Sequence, residues 1–319
     1  MEDRSENGVL EEFRLEFLTC WHRLPNKAFF LAAGAIWLAL FHFLGSSTLG
    51  YIKTPSLMLW MFNAFTAGSE HWFDSDGAYG LLVPAVVVVL FWVKRRELIE
   101  LRLQAWWPGV VLVAAGLVCH LLGYVVQQPR ISVFGMIIGI YGLMGMAWGW
   151  RWLKTSFFPF FLLVFCIPVG SLSDLITFPL RLFVTKLVTI ISHAVLAIDV
   201  VQEGNVLMDP TGRYQYEVAA ACSGIRSLFA TVVLAIILGW VSFQRPWKRL
   251  LMLLSAVPLA VLGNLLRLQA IIIAAEMWGQ DTGNWVHDGG PLGIFSLLPY
   301  IPAFVGLLVL EHYLRKPGT

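Results

Sequence analysis

The sequence predicts an all-α polytopic membrane protein of about eight transmembrane helices, with an outer interfacial helix and a short extracytoplasmic β-hairpin. Three observations carry this. Of 319 residues 58% are hydrophobic and only 13% charged, at a mean hydropathy of +0.73, which is too apolar for a water-soluble domain. Apolar runs at or near the roughly 20 residues needed to cross the hydrocarbon core recur at 28–46, 79–93, 106–126, 131–150, 157–172, 223–243, 250–274 and 295–314. Basic residues, finally, gather between runs that would leave them on one side. The net charge of +2 gives no case for a nucleic-acid surface.

Residues 1–27 read as a cytoplasmic amphipathic segment. Leu10, Phe13, Phe17 and Cys20/Trp21 recur at helical spacing, which suits a helix on the membrane surface; a disordered tail is the plainer alternative. Glu2, Asp3, Glu6, Glu11, Glu12 and Glu16 precede the first apolar run, unlike the short basic start of a cleavable signal peptide. Residues 28–314 then form one integral-membrane domain, and 315–319 a cytoplasmic tail.

Orientation follows from the cations. Arg4, Arg14, Arg23 and Lys27 precede the first span, Lys94, Arg95, Arg96 and Arg102 follow the second, and Arg151 and Lys154 follow the fourth. Arg245, Lys248 and Arg249 separate the runs at 223–243 and 250–274, and Arg315 and Lys316 close the chain. The positive-inside rule puts all of these in the cytoplasm. If 176–200 also crossed, the Arg245–Arg249 turn would move outside. Pro179, Arg181, Lys186 and His193 interrupt that stretch, so it is expected at the outer interface or dipping into it.

Asn205 to Met208 and Arg213 to Val218 flank the turn sequence Asp209-Pro210-Thr211-Gly212, which predicts the hairpin. Its free edge could receive an extended peptide, or the segment could be a polar loop shielding helix ends. Ala221-Cys222-Ser223-Gly224-Ile225-Arg226-Ser227 follows. A cysteine at a helix start meets unpaired N–H groups and the positive end of the dipole, so it ionises more readily than one in mid-helix. Asn264-Leu265-Leu266-Arg267 and His287-Asp288-Gly289-Gly290 fall at the same outer face.

Cys222, Arg267 and His287 suit acyl transfer. A thiolate attacks, an imidazole moves the proton, and a guanidinium, which cannot act as a base, holds the carbonyl or the oxyanion. Asn264, one turn from Arg267, is expected to orient it, and Ser223, Gly224 and Asp288 support the site. Arg226 is expected to reach the headgroups or an outer carboxylate. His71, His120 and His193 are possible substitutes for His287, and Cys20, Cys119 and Cys166 read as inert packing. No cofactor is expected, and no His/Cys/Asp/Glu set has the spacing of metal ligands. A membrane thiol oxidoreductase would need paired cysteines. A polytopic acyltransferase or transporter with a structural cysteine is the remaining alternative.

The three motifs together resemble the exosortase/archaeosortase family of multispanning membrane cysteine transpeptidases. The likeness extends to Gly-Leu-Leu-Val-Pro at 80–84, Ile167-Pro168 and Gly204-Asn205, and covers most of 30–310. It implies Cys222 as nucleophile with Arg267 and His287 completing the site. It further implies a bacterial cytoplasmic (inner) membrane location with the site facing outside. The implied partners are exported proteins with a C-terminal sorting signal, namely a motif such as Pro-Glu-Pro, a transmembrane helix and a basic cluster. Cleavage would pass the acyl group to an envelope acceptor, lipid or glycan, in a setting of exopolysaccharide production. The chain departs from the family at Ala220, where many members have Glu. It also has Asp76-Gly77 and Ala78-Tyr79-Gly80 where Ser-His-Gly is common. The subfamily and its sorting motif therefore stay open.

Overall fold

The computed structural model describes residues 3–47, 52–67, 79–169, 174–218 and 225–315. They divide into two compact units, Met1–Pro168 and Val169–Thr319.

In the first unit the amphipathic N-terminal segment forms helix α1 (Asp3–Arg23), followed by α2 (Lys27–Phe43). The two meet at 91°, with Asn26 between them in the left-handed region at φ 51°. Helices α3 (Leu57–Thr66), α4 (Tyr79–Val93), α5 (Arg95–Glu100), α6 (Gly109–Val125), α7 (Pro129–Trp148) and α8 (Trp150–Phe161) follow. Glu16 of α1 accepts from Arg95 at 2.6 Å and from Arg96 at 3.0 Å, which docks α1 against α5. The Asn26 Nδ2 and Trp148 Nε1 donors reach Ala147 O and Pro25 O at 3.1 and 3.0 Å, fixing the bend to the end of α7.

Helices α6 and α7 pack through glycine. Gly109, Gly116 and Gly123 repeat every seventh residue along α6, opposite Gly142, Gly135/Gly139 and Ser132 of α7. A Cβ on Gly116 would stand 2.6 Å from Gly135 O, so the backbones meet with nothing between them, as small residues allow in membranes. The outward face of α6, with Val111, Leu121 and Val125, is apolar and exposed. That is the reverse of a soluble helix.

The second unit contains α9 (Asp174–Leu196), strands β1 (Val201–Glu203), β2 (Val206–Met208) and β3 (Gln215–Glu217), then α10 (Ile225–Ser242), α11 (Pro246–Trp278), α12 (Gln280–His287) and α13 (Tyr300–Arg315). The expected two-arm hairpin is one half of a three-stranded antiparallel sheet, β1-β2-β3. Gly204, at φ 61°, turns β1 into β2. The Asp209 turn is built as the sequence indicates: one carboxylate oxygen accepts from Thr211 N at 3.0 Å and Arg213 N at 3.2 Å. Arg213 also bridges Asp209 at 3.1 Å and Glu276 of α11 at 2.6 Å. Its hydrogen bonds, then those of Thr211, hold the Asp209 carboxyl well below the usual carboxylate range.

Four described helices are long and apolar enough to cross a membrane, Pro129–Trp148, Phe178–Leu196, Pro246–Trp278 and Ile294–Arg315, or five if the bent pair Glu11–Arg23 and Lys27–Phe43 is one span. The eight expected spans are not reached on that measure. Leu57–Thr66, Gly80–Val93, Gly109–Val125 and Ser227–Ser242 are apolar but have only 10–17 residues. The fifth expected span, 157–172, is not one helix. Pro159 lies inside α8, which passes into a 3-10 turn at Leu162–Cys166. The stretch expected at the interface is a continuous helix through Pro179.

Candidate active site

Helix α11 sets the depth of the site. Its 33 residues rise roughly 50 Å, well beyond the about 30 Å hydrocarbon core. The first part packs with α10 and α13 through Ala235, Met252, Ala256 and Leu307. The last part carries Leu268, Ile271, Ile272 and Ala275 into a different cluster with Val188 of α9 and the sheet residues Leu207, Tyr214 and Tyr216. Gln269 links the same elements, donating to Val188 O at 2.9 Å and accepting from Ser192 Oγ at 3.2 Å.

Arg267 lies within the second of these stretches, between Leu265 and Leu268. Its Nη2 donates to the main-chain carbonyl of His287 at 3.1 Å, while its Nε is buried without a partner among the described residues. Asn264, one turn earlier, is 1% exposed, and neither of its amide atoms has a partner among the described residues. No hydrogen bond joins Asn264 to Arg267.

His287 ends α12, a helix folded back on α11. Gly283 leaves no room for a side chain between α12, Tyr216 and Ala275, and Tyr216 Oη donates to Gln280 O at 3.1 Å. Burial, with the Asp281 carboxylate nearby, pushes the Tyr216 phenol up, so it remains a donor there. His287 Nδ1 lies 3.1 Å from Asp288 Oδ1. The glycines that follow close the helix: Gly289 and Gly290 have φ of 103° and 63°, and Gly290 N donates to Trp285 O at 2.9 Å. In His287-Asp288-Gly289-Gly290 the glycines therefore supply backbone shape.

The structure joins Arg267 of α11 to His287, with Asp288 beside the histidine and Asn264 one turn from Arg267 on α11. Cys222, Ser223 and Gly224 lie outside the described residues, as does the Arg226 side chain. Of the substitute histidines, His120 is buried in the first unit with Nδ1 3.2 Å from Ser132 Oγ. His193 faces Val200 O and Asp199 at 3.1 Å, and His71 is outside the described residues. Among the described residues no three His, Cys, Asp or Glu side chains are grouped to hold a metal. Sequence reasoning passed over Arg213, Glu276, Tyr216 and Gln269, which tie the sheet and α9 to α11; polar residues in an otherwise apolar helix, Gln269 and Glu276, were the available signal.

A family model described as transmembrane exosortase matches residues 71–304. The chain belongs to the transmembrane exosortase family. It is accordingly a multi-pass membrane protein of a family whose enzymes are of the protease and transpeptidase kind. No curated protein and no solved structure matched it.

Proposed function

We propose that this exosortase is a membrane cysteine protease/transpeptidase whose site faces outward from the bacterial inner membrane. Orientation rests on α11. Lys248 and Arg249 stand at its start and Arg267 19 residues on, roughly 29 Å along the axis, about the thickness of the hydrocarbon core. The basic end also carries Arg245 and the α13 terminus, where Lys248 donates to Leu314 O and Arg315 to Ser242 Oγ, and by the positive-inside rule it is cytoplasmic. Arg267 and His287 then lie at the opposite face. The proposed topology is that of about eight spans, the short helices completing them, with α9 beside the sheet at the outer interface; Gln202 of β1 donating to Thr185 of α9 at 2.7 Å supports that position.

In the proposed reaction the Cys222 thiol gives its proton to His287 and its sulfur attacks the scissile carbonyl. The oxyanion takes a hydrogen bond from Arg267, whose buried Nε has no partner among the described residues. Collapse breaks the C–N bond, and His287, steadied through Nδ1 by Asp288, returns the proton to the leaving amine. The thioester is then cleaved by water or by an envelope acceptor that loses its proton to His287. Substrates are exported proteins with the motif, membrane helix and basic cluster of a sorting signal.

The observation that carries this reading is the Arg267–His287 contact, which joins two residues 20 apart in sequence, one on α11 and one at the end of α12. The test is Cys222→Ala in a cell with no second such enzyme. Processing should stop while the protein still inserts, and Cys119→Ala and Cys166→Ala should retain activity. Full processing by Cys222→Ala would overturn the thiol mechanism. Intact mass of the new C-terminus separates hydrolysis, which leaves a free carboxylate, from transfer, which adds a group.

A further inference from the structure

Strand β3 has one edge spent and, among the described residues, one edge open. Toward β2 the register pairs Tyr216 with Leu207, while Tyr214 O accepts from Asp209 N at 3.1 Å and Val218 N donates to Asn205 O at 2.8 Å. In an antiparallel ladder the residues that exchange hydrogen bonds alternate along the strand. Tyr214, Tyr216 and Val218 therefore point their main chain at β2, and Gln215 and Glu217 point theirs away. Those two N–H and two C=O groups have no main-chain partner among the described residues, and both residues are exposed. The other sheet edge is attended by α9, with His193 Nε2 3.1 Å from Val200 O just before β1.

Donor and acceptor repeating at a two-residue spacing along an open edge match the main chain of another extended polypeptide. A lipid headgroup or a small anion has no such alternation. The edge is also rigid before anything binds. Tyr214, Tyr216 and Val218 are buried beneath it, and Tyr216 is held to Gln280, so little ordering remains to be done on binding. A three-residue strand is too short to hold two copies of the chain together by edge pairing alone. An extended stretch of substrate, held also by its own membrane anchor, needs no more than that.

We propose that the open edge of β3 is the docking strand for the polypeptide substrate beside its scissile bond, an inference that rests on the protease/transpeptidase reading. Gln215 and Glu217 take the substrate main chain as an added strand, and register along the edge sets which carbonyl is offered for attack.

The probe is a synthetic peptide spanning the cleavage site of the exported protein whose processing stops when this chain is deleted from the cell. If no protein stops being processed, the enzyme reading falls and the docking strand falls with it. With a probe in hand the edge is tested separately, by amide exchange and peptide affinity on the full-length Cys222→Ala protein in lipid nanodiscs. The Gln215 and Glu217 amides should exchange quickly and the Tyr216 amide slowly, with peptide slowing the first two. Glu217→Pro removes an outward N–H without touching the β2 pairing, as edge strands tolerate, and should weaken binding by about tenfold. If the proline misfolds the sheet, replacing the Glu217 N–H by an ester oxygen removes the same donor. N-methylation scanned along the peptide should weaken binding at every second position. Wild-type affinity for the proline and ester variants, or an N-methyl scan without alternation, would overturn the docking strand. So would protection of Gln215 and Glu217 that rises with protein concentration in the absence of peptide, which would assign the edge to a second copy.

Discussion

Arg267 reaches past its own helix to hold the main-chain carbonyl of His287, Nη2 to O at 3.1 Å, so the last residue of α12 is anchored by a side chain of α11. Arg267→Lys keeps the charge but replaces a planar fork with a point donor. One ammonium cannot hold the His287 carbonyl and keep a second donor at the Nε position. Initial processing rates at matched membrane abundance should fall by about 10²–10³, the loss typical of a missing oxyanion donor, with Arg267→Ala at least as low. Near-wild-type turnover with Lys would reduce Arg267 to a residue that merely reaches the interface.

Much of this was legible from residue order because membrane crossing and turn chemistry are local. The α4 and α7 boundaries fall close to the apolar runs at 79–93 and 131–150, and the Asp209 turn is where Pro210 and Gly212 indicate it. Strand β1 was missed since Val201-Gln202-Glu203 is too short to show alternation, and only its pairing with β2 makes it a strand. The extent of α11 was understated for a related reason. Ile271, Ile272 and Ala275 near its end belong to the buried cluster with Tyr214 and Tyr216, a tertiary demand that hydropathy cannot separate from a crossing, while Met277 and Trp278 beyond them are exposed. At the site, residue types were readable, whereas the unspent Asn264 amide depends on what surrounds it in space.

The glycine seam between α6 and α7 predicts a sharp contrast. Gly116→Val brings side-chain atoms against Gly135 O and Gly139 N, 2.6 and 3.0 Å from the Cβ alone, and main-chain atoms cannot step aside without parting the helices. Stability should drop by at least about 1–3 kcal/mol. Gly34 of α2 has nothing within 4 Å of a Cβ, so Gly34→Ala should be neutral or stabilising by helix propensity. Thermal midpoints of the two variants in one detergent check this; equal midpoints would mean the seam is looser than described.

Asp209 gives the sheet a pH signature. Its carboxyl is held below the usual range by Arg213 and Thr211, so the folded state favours the ionised form. That stabilisation is fully present above the unfolded-state value of about 3.9 and is lost as pH falls through the lower folded-state value. Asp209→Asn should lower the thermal midpoint at neutral pH, and the gap from wild type should close only below about pH 4. A gap that closes between pH 7 and 5 would assign the effect to another group.

Topology can be read with single cysteines in a background without the native ones. Asp281 at the start of α12 and Gln244 in the α10–α11 turn are both exposed but stand at opposite ends of α11. Asp281→Cys should react with an impermeant maleimide in spheroplasts, and Gln244→Cys only after the membrane is opened. Labelling of Gln244→Cys in sealed spheroplasts would invert the proposed orientation and carry α9 across the membrane. Gly283 is a poorer reporter, since a side chain there collides with Tyr216.

Asn264 offers a test in which stability and activity move in opposite directions. Its amide is buried at 1% exposure with neither atom partnered among the described residues, an arrangement that costs about 1–3 kcal/mol relative to a satisfied or apolar group. Leucine has the same branched skeleton of side-chain heavy atoms and carries no polar atom, so Asn264→Leu should raise the thermal midpoint. If the amide is kept because it meets the substrate carbonyl beside Arg267, the same change should lower processing, and a serine, which restores a donor but not the reach, should recover little of it. Kinetics and melting on the same preparations separate the cases. A lower midpoint together with lost activity would mean that Asn264 has a structural partner, such as a bound water, and acts by holding α11 in place. A higher midpoint with full activity would remove it from the site. Only the stabilised, inactive variant fits an amide held in reserve for the substrate.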